Sequence, residues 1–142
     1  MNQPRDRCKI LKLSDSKVLV VTQIAGSSLI ANIYSISGMS ISVGSGYSFG
    51  GTGTSTHVSI ALLSDSRVAI HYYQGGSSKI TILSMNFSSN SLSLINTIDL
   101  GYYSTSIAST DGDKIWTNKI SSDVYGYYCS VHCYLLVDKN IV

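Results

Sequence analysis

A six-residue segment occurs twice in this chain with one change, Arg for Lys. Leu13-Ser14-Asp15-Ser16-Lys17-Val18 returns 50 residues later as Leu63-Ser64-Asp65-Ser66-Arg67-Val68. Ser27-Ser28 returns as Ser77-Ser78 at the same offset, and Ser40-Ile41-Ser42-Val43 returns as Ser91-Leu92-Ser93-Leu94 at an offset of 51. A third copy is fainter. Ser59-Ile60-Ala61 reappears as Ser106-Ile107-Ala108, and Arg67-Val68 as Lys114-Ile115, both 47 residues on. A repeat constrains a fold more than any composition does, because each copy must form the same unit and bury its apolar face on a neighbouring copy.

The second copy defines the unit. Runs 57–63, 67–73, 79–85 and 91–98 are β-branched, aliphatic and aromatic, and they are separated by Ser64-Asp65-Ser66, Gln74-Gly75-Gly76-Ser77-Ser78 and Phe87-Ser88-Ser89-Asn90. Such runs read as strands and such separators as turns. No window has the period and caps of a helix. The expectation is an all-β chain of four-stranded antiparallel meanders, the pattern of β-propeller-like blades. In the first unit the strands are expected at 8–13, 17–22, 29–36 and 40–49. The units span about 8–50, 57–100 and 105–142, within one repeat domain. The third is short. Its fourth strand is expected to be missing or stunted, unless 123–129 and 134–137 form its last two strands in compressed form.

The turn Leu-Ser-Asp-Ser-Lys/Arg-Val, the strand after it, the Gly/Ser turn and the closing Ser-Ile-Ser-Val or Ser-Leu-Ser-Leu resemble propeller-type repeats of bacteriophage tail-associated and other virion proteins and of bacterial surface proteins. The resemblance covers roughly residues 8–118. It implies a fold more than a function. The Trp-Asp dipeptide of WD40 repeats is absent. Ser109-Thr110-Asp111-Gly112-Asp113-Lys114-Ile115-Trp116 lacks the Gly placement of a sialidase Asp box and reads as a hairpin turn.

Of the 142 residues 44% are hydrophobic and only 13% charged, where about 25% charged is usual. That is too apolar for disorder. No apolar run reaches the ~18 residues of a membrane helix. A net charge of +2 without a Lys/Arg stripe gives little attraction to nucleic acid. The polar start, Met1-Asn2-Gln3-Pro4-Arg5-Asp6-Arg7, has no secretory h-region. Three cysteines, an odd number, argue against a disulfide framework. Synthesis in a reducing cytoplasm is expected, with a virion as a later destination. An incomplete set of blades exposes an apolar face at each end, so self-association or docking on other virion proteins is expected, without nucleic acid or membrane.

Chemistry is harder to assemble. Cys129, His132 and Cys133 offer three of the four ligands zinc needs, but a strand would hold the two thiols about 13 Å apart. They are read as small buried residues, with no metal or other cofactor. Asp15, Asp65, Asp111 and Asp113 occupy repeat-equivalent turns and Glu is absent, which leaves no carboxylate pair for glycoside hydrolysis. Catalytic residues are therefore not expected. Aromatic residues are the better candidates. Tyr72, Tyr73, Tyr102, Tyr103 and Trp116 could stack on a glycan as in a propeller-type lectin. Tyrosines adjacent along a strand face opposite ways, so one of each pair belongs to the packing. The first expectation is a non-enzymatic structural or interaction module, and the alternative is an oligomeric carbohydrate- or receptor-binding lectin.

Overall fold

A computed structural model describes residues 8–23, 28–51, 58–64, 66–104, 106–110, 114–124, 126–137 and 140–141. All its elements are strands, in chain order β1 (Cys8–Lys12), β2 (Lys17–Gln23), β3 (Ser28–Ser37), β4 (Ser40–Val43), β5 (Tyr47–Gly50), β6 (Ser59–Leu62), β7 (Arg67–Gln74), β8 (Ser77–Asn86), β9 (Ser91–Asp99), β10 (Ile107–Thr110), β11 (Lys114–Asp123), β12 (Gly126–Val137) and β13 (Asn140–Ile141). They form three antiparallel sheets: β1-β2-β3-β4 with β5 also on β3, then β6-β7-β8-β9, then β10-β11-β12-β13. The chain is therefore all-β, and each sequence repeat is one sheet.

The six-residue repeat has a structural cause. Leu13 and Leu63 each donate a backbone hydrogen bond across the turn, to the carbonyls of Lys17 (3.0 Å) and Arg67 (2.9 Å). The carbonyls of Ser16 and Ser66 accept from Ile36 (2.8 Å) and Met85 (2.7 Å) on the third strand of each sheet. The same turn thus ties the same three strands twice. Asp15 adds a bridge to Lys12 at 2.7 Å, exposed on both sides and so worth little.

A second equivalence lies on the outer strand. Tyr34 and Ala31 face Val43 and Tyr47, so three steps along β3 match four on the strand opposite. Leu83 and Ile82 face Leu94 and Asn96, one step against two. Both sheets carry one extra residue at this point, a β-bulge. In the first sheet the bulge breaks the expected strand 40–49 into β4 and β5, with Gly44 in the break. A Cβ on Gly44 would lie 1.8 Å from the Asn90 carbonyl oxygen, so only glycine lets the second sheet's turn come this close.

Two apolar layers separate the three sheets. Leu19, Val21, Ala31 and Ile33 of the first sheet meet Val68, Ile70, Leu83 and Met85 of the second. The other face of the second sheet, with Ala69, Ile80 and Ile82, meets Ile107 and Ile115 of the third. The first strands lie side by side, β1 beside β6 and β6 beside β10. The Ser59 hydroxyl fastens the second pair, donating to the Ile107 carbonyl (3.2 Å) and accepting from its N–H (3.3 Å).

The third unit differs from the compressed reading. Residues 126–137 form one strand and Asp123 ends β11, so 123–129 and 134–137 are not separate strands. The fourth strand is stunted: Ile141 and Asn140 pair with Leu136 and Val137.

Candidate functional site

The expected aromatic residues occupy three separate places. Tyr72 is 2% exposed, between the first two sheets. Its ring meets Phe49 edge-on at 5.4 Å, and its hydroxyl lies 3.2 Å from that of Thr81. Tyr72 is thus the inward member of its pair and is closed to a surface ligand. Tyr73 points to the other face and meets Tyr103 edge-on at 5.3 Å.

Tyr102 lies in the link between the second and third sheets. Its hydroxyl is 2.8 Å from that of Thr117 and 2.7 Å from that of Tyr134. Its ring is 5.4 Å from the His132 ring and 5.5 Å from the Lys119 ammonium. Burial, then the hydrogen bond with Tyr102 and the charge on that phenol, hold the Tyr134 phenol well above the ordinary tyrosine range. The main chain here is equally committed. The Tyr102 carbonyl accepts from Ser78, and the Tyr103 carbonyl accepts from Ile120. Ser78 and Ser104, both buried, exchange two further bonds. This cluster joins two sheets. Trp116 lies elsewhere, on the far face of the third sheet and 37% exposed.

The link begins at Asp99, which accepts from Lys79 (2.7 Å) and from the Gly101 N–H (2.9 Å). The Lys79 hydrogen bond first, then bonds from Ser77 and Gly101, hold the Asp99 carboxyl well below the usual carboxylate range. A carboxyl whose pKa falls on folding stabilises fully above its unfolded pKa of about 3.9 and loses that contribution as pH falls through the folded value. Asp99→Asn is therefore expected to flatten the acid limb of the stability profile below about pH 4 and to leave its slope between pH 5 and 8 unchanged. Denaturant midpoints taken across pH check this.

The cysteine cluster needs correction. Cys8, Cys129 and Cys133 are all exposed, not buried. Cys129 and Cys133 occupy the face of β12 turned away from the second sheet, where no other part of the described chain covers them. His132 faces the opposite way, with Nε2 3.0 Å from the Ser130 hydroxyl. No three of His, Cys, Asp or Glu gather as a metal set among the described residues. His71 is fully buried on β7, while His57, Asp65, Asp111 and Asp113 lie outside the described residues.

What stands open is a pair of sheet faces. On the first sheet Ile10 (67% exposed), Ile36, Ile41 (69%) and Val43 lie on the face turned away from the core. On the third, Ala108, Trp116, Val131 (69%) and Tyr127 do the same. Contiguous exposed apolar surface marks an interaction site. These residues escape a search for chemical motifs, but the repeat itself identifies them: Ile41 aligns with Leu92, which is buried. A cleft of about 240 Å³ between β1 and β6, lined by Lys9, Leu11, Val58 and Ile60, brings no catalytic side chains together.

No protein family, curated protein or solved structure matches the chain.

Proposed function

We propose that the chain is a non-enzymatic interaction module, a stack of three propeller-type blades that acts through its two open end faces. The side-by-side first strands and the bulge shared by the first two sheets support the blade reading. One observation carries the function: apolar side chains at Ile10, Ile41 and Val131 stand in solvent at the two ends of a stack whose equivalent interior positions are buried in apolar layers. The resemblance of the repeat to those of phage virion proteins makes a virion the assembly we propose for it. The lectin alternative is weaker, because Tyr72 is in the core and Trp116 lies on the face of the third sheet turned away from the second, which carries Tyr73.

Light scattering and an apolar-surface dye test this reading together. The chain is expected either to associate with itself or, as a monomer, to bind the dye strongly at its open faces. A monomer that binds no dye overturns the proposal.

A further inference from the structure

The repeat makes the two open faces comparable, position by position, with faces that are already buried. Take the face of each sheet that looks toward the start of the chain, its front. Ile10, Val18, Val20, Ile36 and Ile41 on the first sheet occupy the register positions of Ile60, Val68, Ile70, Met85 and Leu92 on the second. The cross-strand pairs match: Ile10 faces Val20 as Ile60 faces Ile70, and Ile36 faces Ile41 as Met85 faces Leu92. On the third sheet Ile107 and Ile115 take the places of Ile60 and Val68. The second and third fronts are buried against the sheet before them; the first front is open.

The opposite face, the back, follows the same rule in reverse. Leu19, Ala69 and Trp116 are equivalent, each central in its sheet, and so are Ile33, Ile82 and Cys133. Ala31, Ile80 and Val131 form a third set. In each set the first two members are fully buried and the last is exposed. The exposed third-sheet positions are those that a following front would cover.

Within one chain, then, front packs on back twice, and one front and one back are left over. From this we propose that the occupant of each open face is a second copy of this chain, seated head to tail, with the first-sheet front of one copy on the third-sheet back of the other. The contact continues the interface already built between the sheets. It deepens the interaction-module reading and rests on it. Two copies supply six sheets, within the range in which propeller rings close, and the two contacts of such a ring are identical. Heterologous contacts that close give a ring with no face left open.

Single-face variants test this. Ile41→Lys charges the front and Val131→Asp charges the back; both side chains are already in solvent in the single chain, so each variant is expected to keep the far-UV circular dichroism of the wild type. Wild type is expected to sediment as a dimer. Each variant alone is expected to be a monomer, its dimer dissociation constant raised about tenfold or more, because every contact buries an unpaired charge. A 1:1 mixture is expected to recover the dimer mass, because one contact is then untouched and the other sets Lys against Asp. The mixing rescue also shows that both variants are folded. The proposal is overturned if either variant still pairs with itself as tightly as wild type, the behaviour of like faces meeting, or if folded variants do not recover on mixing. A monomeric wild type that binds the apolar dye overturns head-to-tail pairing and leaves the interaction module standing; a monomer that binds none overturns both.

Discussion

Tyr72→Ala is expected to remove about 3–5 kcal/mol of unfolding free energy, the range for truncating a large buried aromatic. For a chain of this size that lowers the melting temperature by on the order of 10 °C. The ring fills the layer between the first two sheets beside Phe49, and its loss opens a cavity that two rigid sheets cannot collapse. Tyr72→Phe separates the ring from the hydroxyl. Thr81 keeps a second partner in Thr97 at 2.9 Å, so the phenylalanine variant is expected to lose only about 1 kcal/mol. Urea denaturation of the three proteins gives both figures. A loss below about 1 kcal/mol for Tyr72→Ala would contradict the placement of this ring in the core.

The second large effect is expected at Gly44, where Gly44→Ala costs on the order of 3 kcal/mol although it adds a single methyl group. The added carbon would fall 1.8 Å from the Asn90 carbonyl oxygen and 2.5 Å from the Asn90 Cβ. The obstacle includes backbone, which no rotamer change removes. Asn90 is itself held: its φ is 51°, its side-chain amide donates to the Ser35 hydroxyl at 2.9 Å, and its side-chain oxygen accepts from Lys17. Moving the turn aside would break these ties between the first two sheets. Gly38→Ala is the control. A Cβ there meets nothing within 4 Å, but φ is +57°, so the expected cost is only the left-handed penalty of about 1 kcal/mol. Equal losses at the two positions would remove the steric explanation for Gly44.

The legible part of this fold is the part that local chemistry and repetition determine. The Leu13–Val18 and Leu63–Val68 turns located the first two sheets, and strand alternation correctly made one member of the Tyr72–Tyr73 pair a core residue. The illegible part depends on what packs against what. The break in the expected 40–49 strand falls at the bulge, where Gly44 lies against Asn90, 46 residues away. The length of β12 was hidden because its outward positions alternate thiols, Val131 and Tyr127, a pattern without the turn chemistry or the polar face that marks a strand's limits. Cys129 and Cys133 were expected inside because cysteine is among the most buried residue types. Here both are exposed, and among the described residues no sheet lies over them. The site was legible only in outline: a repeat of stacked units suggests exposed outer faces, but naming Ile41 or Val131 required the register.

Among the described residues, the middle sheet is the only one of the three with a neighbour on both faces. Its strands β7 and β8 contain long runs of fully buried residues, while β12 is exposed throughout Gly126–Cys129 and again at Val131 and Cys133. In a linear stack each sheet is held by nearest neighbours alone, so an end sheet has half the support of the middle one. Backbone amides of β7 and β8 should then exchange with solvent only on global opening, and those of β1 and β12 through earlier, local release. Closing two chains into a ring would abolish the distinction: with no sheet left at an end, every sheet would carry the protection that now belongs to the centre.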